Sequence, residues 1–207
     1  CKTCSLLFNF PAYKENELKK LYGRNYYFFL RDEISEFKRA EGIFKRIISF
    51  LNLKDDSKIL EIGCGKGYLL FLLKKLGFKV KGVEISKEAY IYARDRFKLD
   101  IFNGTLEEFA HRCKEKFDLI LLIDLIEHIR DPHSFMKSIE EISKKGTILV
   151  IDTPNSDCRE IETLRGKWIG FNPYHIRLYN LNSLNYLLKK YDFFIYKFLY
   201  YGSGKRN

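Results

Sequence analysis

The chain of 207 residues contains no glutamine and a single methionine, Met136. Set against its many Lys, Glu and Ile, that lack fits either a thermophilic source or an AT-rich genome and does not separate the two. A long hydrophobic run is also missing. The longest, FDLILLIDLI at residues 117–126, is interrupted by Asp124 and is too short to cross a bilayer, which argues against a membrane-spanning helix. No secretory leader is visible. Five cysteines are too few and too unevenly spaced for a secreted disulfide scaffold, so a reducing, cytoplasmic setting is expected. Internal repeats and low-complexity tracts are absent. A basic arm is absent too, although 37 Lys and Arg against 27 Asp and Glu give a formal charge of +10. Such a charge can attract nucleic acid, anionic lipid or acidic glycans, but the lysines are interleaved with acids and read as a solvated surface. No Met precedes Met136, so an N-terminal portion missing ahead of Cys1 is expected.

What is present suits one domain with a sizeable core, at 46% hydrophobic residues. Residues 1–30 read as an irregular N-terminal segment carrying CxxC, and residues 31–207 as the main domain. Apolar residues at helical spacing (Ile34, Phe37, Ile43, Phe44, Ile47, Ile48, Leu51) predict an amphipathic helix over 32–51. Strands and helices then alternate. Strands are expected at 58–63, 79–85, near 100–104, 117–124, 146–154 and 192–202. Helices are expected at 67–77, 86–97, 106–113, 132–143 and 181–191, with a long loop from 155 to 180. Alternating β and α with near-continuous apolar strands predicts an α/β, doubly wound, mostly parallel sheet with an N-terminal helical cap. Ligands in such sheets bind at the carboxyl ends of the strands, where the strand order reverses.

The segment ILEIGCGKGYLL at residues 59–70 is a strand, a glycine turn and a helix start. The P-loop pattern is not there. The dinucleotide pattern GxGxxG fails because Tyr68 stands where its third glycine belongs. What remains is Glu61, Gly63, Gly65 and Gly67, a loop that brings backbone close to a ligand and carries an acid where a phosphate would gain nothing. Glu84, at the end of the next strand, can accept both hydroxyls of a ribose. The ligand so described is nucleoside-like, cationic and free of phosphate, and S-adenosylmethionine fits it.

With LEIGCGKG, NGTLEEF, FDLILLIDLIEHIRDP, IDTPN and NPYHIRLY in view, the chain resembles a class I S-adenosylmethionine-dependent methyltransferase of the broad bacterial and archaeal group, over about residues 30–202. The resemblance implies a seven-stranded sheet. It implies that the loop around Glu61, Gly63, Cys64, Gly65, Gly67 and Tyr68 holds the methionine part of the cofactor. It further implies that Glu84 takes the ribose, that Ile85 and Thr105–Leu106 flank adenine, and that Asp124 and Leu125 line the methyl-transfer region. S-adenosylhomocysteine would be the product. Three departures stand out. Thr105 follows Gly104 where many relatives have an acid, KKGT replaces the usual PGG turn before the fifth strand, and YGSGKRN replaces a further antiparallel strand, so an incomplete sheet edge is expected.

Several residues are weighed singly. His175, in WIGFNPYHIRLY, is the candidate catalytic base, taking a proton from a hydroxyl acceptor in a pocket shared with Trp168, Phe171, Tyr174 and Tyr179. The other reading is a lid histidine bonded only to backbone. Glu127–His128 reads as a loop-fixing pair rather than an acid–base pair. Asp131–Pro132 reads as a turn and helix start, and His133 as a surface residue. Asp124, Asp152 and Asn155 offer oxygen ligands too loosely spaced for a metal, and no metal site is expected. NPY at 172–174 resembles half of an adenine-methylating motif but lies after the wrong strand. CKTC at 1–4 looks like the second half of a small zinc ribbon, expected without metal here because zinc needs four ligands. Cys113 and Cys158 are expected to be inert. Tyr22, Tyr26, Tyr27 and Phe28, with the first helix, are expected to cover the cofactor. The function expected is methyl transfer to a small-molecule or glycan-like acceptor at oxygen. Nucleic-acid methylation and cofactor binding that only regulates a partner are the alternatives. The oligomeric state is left open.

Overall fold

The computed structural model describes residues 1–8, 32–51 and 53–200. The aromatic segment with Tyr22, Tyr26, Tyr27 and Phe28 lies outside the described residues.

Helix α1 (Glu33–Phe50) opens on Asp32, whose side chain accepts from the Ser35 N–H at 3.0 Å. This supplies one of the partners that a first helical turn lacks. The chain then alternates through β1 (Lys58–Ile62), α2 (Tyr68–Lys75), β2 (Lys79–Glu84), α3 (Lys87–Phe97), β3 (Ile101–Asn103), α4 (Leu106–Arg112), β4 (Phe117–Ile123), α5 (Pro132–Ile142) and β5 (Ser143–Asp152). Asp131 caps α5 through the His133 and Ser134 N–H groups, with Pro132 in the first turn, as the sequence leads one to expect. The strands form one parallel sheet in the order β3-β2-β1-β4-β5. The order reverses between β1 and β4, and Glu61 of β1 sits beside Gly82 and Leu121.

Side chains alternate across this sheet, as a two-residue period requires. Ile59, Leu119 and Leu121 pack on one face with Ala40, Ile43 and Ile47 of α1 and with Tyr68, Leu69 and Leu73. Leu60, Ile62, Ile120 and Leu122 pack on the other with Leu106, Phe109, Phe135, Met136 and Ile139. Both faces are therefore covered, and apolar strands without polar alternation are explained. Among the described residues no helix is long and apolar enough to cross a membrane.

Four expectations about local structure change. The fifth strand starts at Ser143 rather than 146, because Ser143 pairs with Phe117 before Gly146 (φ +88°) loops the chain out and pairing resumes at Leu119–Ile148. The stretch 155–180 is not all loop. It holds α6 (Arg159–Leu164), a 3₁₀ turn at Arg165–Lys167 and the two-residue strand Arg177–Leu178. That strand pairs antiparallel with Leu7–Phe8, so the N-terminal segment is not wholly irregular. After α7 (Leu181–Leu188), the expected last strand does not form among the described residues. Phe193 and Ile195 turn toward the core while Phe194 and Tyr196 are exposed, which is a strand's alternation without a ladder. A cavity of about 480 Å³ lies between this segment, α1 and β5.

The sheet's centre should dominate stability. Leu119 is fully buried in β4. Leu119→Ala should cost about 2–5 kcal/mol, read as a lower urea midpoint at unchanged slope.

Candidate active site

One cleft of about 1400 Å³ opens at the carboxyl ends of β1, β2 and β4, over the point where the strand order reverses. Four layers of chain build it. The β1–α2 loop forms the floor. Gly63 and Gly65 hold φ of +69° and +52°, conformations that side chains rarely adopt, and a Cβ on Gly63 would stand 2.9 Å from Leu125 Cδ1. Gly67 (φ +78°) faces away from the cleft. A Cβ there would stand 2.6 Å from Leu99 Cδ1, so this glycine lets α2 approach α3. Cys64 turns its sulfur into the apolar cluster of Leu70, Ala93, Leu99 and Ile101, where burial pushes the thiol well above its usual range. Only its backbone serves the loop. Tyr68 lines the cleft while its hydroxyl lies 3.0 Å from that of Tyr92.

Two buried carboxylates flank the loop. Glu84 accepts from the Gly65 N–H at 2.8 Å and from the Ser86 N–H at 2.7 Å, which locks the glycine turn onto the end of β2. Glu61 is 5% exposed, and its Oε2 has no hydrogen-bond partner among the described residues. Burial pushes its carboxyl up to about 8, against the pull of the Arg39 charge and with a further push from Glu84. Ile85 projects at the rim, 70% exposed, beside Thr105 and buried Leu106. Thr105 spends its hydroxyl and N–H on a capping box with Glu108, at 3.2 and 2.9 Å.

The far wall follows β4. Asp124 sits in the left-handed region (φ +46°), donates its N–H to the Asp152 carbonyl at 2.8 Å and pairs with Arg39 of α1. Such a conformation in a non-glycine residue is strained and persists only when neighbours enforce it. Beyond it, Glu127 is fully buried and accepts from the Thr153 hydroxyl at 2.8 Å. Its Oε1 lies 3.9 Å from Nε2 of both His128 and His175. Burial raises the Glu127 carboxyl to about 8. Burial, then the His175 ring, pull His128 down to about 4, and burial lowers His175.

The fourth layer is the 155–180 stretch. It docks on the segment after β4 through Ile176 N–H to the Glu127 carbonyl (3.0 Å), His128 Nδ1 to the Tyr174 carbonyl (2.9 Å) and Arg177 to the Ile129 carbonyl (2.7 Å). His128 thus fixes a loop, as expected, while also facing the cleft. Of the four aromatics expected around His175, Tyr174 lines the cleft. Trp168 packs in a separate cluster with Cys158 and Leu178, Phe171 stacks edge-on against Trp168 at 5.0 Å, and Tyr179 is buried beneath. Apolar character alone did not distinguish these destinations. Ile169, Asn172 and His175 complete the wall.

A family model described as a methyltransferase domain matches residues 35–197. The chain belongs to that methyltransferase family. Over 165 residues it is 27% identical to a probable S-adenosylmethionine-dependent methyltransferase of Mycolicibacterium smegmatis, covering 79% of this chain and 61% of that protein. Over 137 residues it is 30% identical to a ubiquinone biosynthesis O-methyltransferase of Glaesserella parasuis, covering 60% and 58%. The chain thus spans about two fifths to three fifths of the length of the curated relatives it matches. An S-adenosylmethionine-dependent methyltransferase structure from Archaeoglobus fulgidus superimposes with a TM-score of 0.59 at 21% identity, covering 78% of this chain and 74% of that one, a likeness of fold.

The cofactor of this methyltransferase family is S-adenosylmethionine, and the cleft fits it. The donor set is a close backbone approach, a partnerless buried carboxylate oxygen and a lining of eight acids (Glu36, Glu61, Glu84, Glu88, Glu107, Asp124, Glu127 and Asp131) against four Lys and Arg, so a cation is favoured in a protein that is basic overall. Sequence reasoning missed Arg39 and Glu36. The helical period showed α1 but not that its Glu36–Arg39–Ala40–Ile43 face roofs the cleft. Among the described residues, Glu127, His128 and His175 are the His, Cys, Asp and Glu group whose ligand atoms lie close enough together to share an ion.

Glu61 makes a testable contribution. Its folded pKa of about 8 lies above the ordinary 4.5, so its contribution to stability is fully present below about pH 4.5 and is lost as pH rises through about 8. Glu61→Gln should therefore raise the melting temperature of the ligand-free protein at pH 8.5, with the gain vanishing toward pH 5. Melting curves across that range check it.

Proposed function

We propose that this chain transfers the methyl group of S-adenosylmethionine to a hydroxyl oxygen of a small-molecule or glycan-like acceptor in the cytoplasm. The observation that carries the reading is the acidic cleft at the strand ends, with buried Glu61 and Glu84 on one side and Glu127, His128 and His175 on the other. The cofactor supplies a methyl group already activated on a sulfonium. Glu61 holds the ammonium of the amino-acid tail, and the backbone of Gly63, Cys64 and Gly65 lies against that tail. Gly67 and Tyr68 set the loop's exit. Glu84 accepts the ribose hydroxyls, Ile85 and Thr105–Leu106 flank adenine, and Asp124 and Leu125 line the path of the methyl group.

The acceptor enters between the segment after β4 and the 155–180 wall. His175, on that wall, is proposed to touch its hydroxyl, with Glu127 and His128 beside it orienting the oxygen and helping to relieve it of its proton. Alignment of oxygen, carbon and sulfur can supply about 7–11 kcal/mol of the barrier. Oxygen as the methylated atom is supported by the name of the Glaesserella parasuis relative. The five cysteines are all free, which supports a reducing compartment. The excess of acids in the lining gives a nucleic-acid backbone little to bind, despite the chain's +10 charge.

Calorimetry tests the cofactor half. S-adenosylmethionine and S-adenosylhomocysteine should both bind and NAD should not, and Glu84→Ala should weaken binding by about 1.5–3 kcal/mol. For the acceptor half, labelled methyl transfer to hydroxyl-bearing pools should slow by about 10²–10⁴ in His175→Ala, with affinity for S-adenosylhomocysteine kept. Part of the lost rate should return at high pH, where the acceptor ionises unaided.

A further inference from the structure

At the acceptor end of the cleft, three acceptor atoms converge. Glu127 Oε1 is buried with no hydrogen-bond partner among the described residues, while the other oxygen of the same carboxyl accepts from Thr153. Nε2 of His128 and Nε2 of His175 each lie 3.9 Å from that oxygen, too far for a hydrogen bond. One ligand atom from each of the three residues lies within 4.8 Å of the other two. The two rings meet edge to face, 4.9 Å between centroids and 71° between planes.

The far nitrogen of each ring decides what faces inward. His128 Nδ1 lies 2.9 Å from the Tyr174 carbonyl, and His175 Nδ1 lies 3.0 Å from the Gly170 carbonyl and 3.1 Å from Asn172 Nδ2. A carbonyl can only accept, so the His128 ring proton sits on Nδ1 and its Nε2 lone pair points toward Glu127; at His175 the Gly170 carbonyl favours the same tautomer, while the Asn172 amide, a donor, favours the other. Imidazoles that ligate metals are held in this way, with the second ring nitrogen donating to a backbone carbonyl or carboxylate.

We propose that Glu127, His128 and His175 bind one divalent transition-metal ion of the zinc class at the acceptor end of the cleft. Two imidazoles and one carboxylate suit Zn²⁺, Co²⁺, Ni²⁺ or Fe²⁺, whereas Mg²⁺ and Ca²⁺ prefer oxygen alone. Zinc bonds of about 2.0–2.1 Å put tetrahedral ligands roughly 3.4 Å apart, so the three atoms draw inward on binding. Two of them sit on the segment after β4 and the third on the docked 155–180 stretch, so the ion ties these two walls together. Three protein ligands leave a position open for the acceptor hydroxyl, whose pKa the ion lowers. The proposal deepens the hydroxyl-acceptor reading of the same site and rests on it for the ion's role, but changes how the three residues act: with their inward atoms on the ion, Glu127, His128 and His175 reach the acceptor hydroxyl through the metal and not as bases. In the transfer, the acceptor O–H gives its proton to solvent and the oxygen lone pair forms the new O–CH₃ bond. The electron pair of the breaking C–S bond stays on sulfur.

The test starts from the chain stripped with a chelator and titrated with Co²⁺. About one equivalent should bind, with the visible absorption of a nitrogen- and oxygen-ligated Co²⁺, and Zn²⁺ should displace it. Glu127→Gln and His175→Ala should each abolish the bands, while calorimetric binding of S-adenosylhomocysteine shows that both variants fold. Bands that persist in these variants put the ion elsewhere, for example on Cys1 and Cys4, and overturn the proposal. Absence of bands in the wild type, with and without S-adenosylhomocysteine, also overturns it. Methylation of a hydroxyl acceptor at an unchanged rate after chelation removes the ion while leaving the hydroxyl reading intact. Specific Co²⁺ binding with no hydroxyl acceptor methylated upholds the ion and removes the hydroxyl reading.

Discussion

Three carboxylates are taken out of water at the carboxyl edge of one parallel sheet, and each must be compensated. A buried charge without partners is costly, so the group is bonded, paired or kept protonated. Glu84 is bonded: two backbone N–H groups hold it, and one of them belongs to the glycine loop, so the carboxylate that ends β2 also shapes the turn after β1. Glu61 is held up at about 8 by burial, with the Arg39 charge pulling the other way. Glu127 is bonded on one oxygen only. The two with an orphaned oxygen are those for which a cationic group is proposed, the cofactor's ammonium for Glu61 and a metal ion for Glu127.

The sheet is what permits this. Its strands bury both faces, so their polar ends meet the outside only at the edges, and the reversal of order between β1 and β4 opens the cleft there. Left-handed backbone also marks this edge. Gly63, Gly65 and Asp124 all have positive φ, and Asp124 is kept there by Arg39 and by the Asp152 carbonyl. Stability is spent at the site and recovered in the core, where Leu119, Ile120, Leu121 and Leu122 are fully buried.

Much of this was legible in the sequence, for identifiable reasons. Near-continuous apolar strands separated by helical periods gave the parallel sheet. Spacing alone put Glu61 and Glu84 on either side of a glycine turn. Capping chemistry marked Asp131–Pro132 correctly. What was not legible depended on contacts between distant segments. The face that α1 turns to the cleft follows from its packing on α2 and could not be read from its period. Trp168 and Tyr179 have the composition of a pocket wall but sit in other clusters, because the 155–180 stretch folds on its own helix and 3₁₀ turn before reaching the site. Residues 192–200 have a strand's alternation, and pairing fails because no ladder joins them to β5. His175 stood out from its setting, whereas its approach to Glu127 and His128, 47–48 positions earlier, needed the fold.

The central claim is that the buried Glu61 carboxyl must ionise to receive the cofactor's cationic tail. Its direct test is calorimetric titration with S-adenosylmethionine at pH 6.5 in two buffers of different ionisation enthalpy, which reads the protons exchanged on binding. The account predicts release approaching one proton per cofactor, because a carboxyl held at about 8 is mostly protonated at that pH and gives its proton up to the buffer when the ammonium binds beside it. It also predicts that the release disappears, and affinity falls, in Glu61→Gln. Binding with no proton exchange, or equal affinity in the variant, would contradict it.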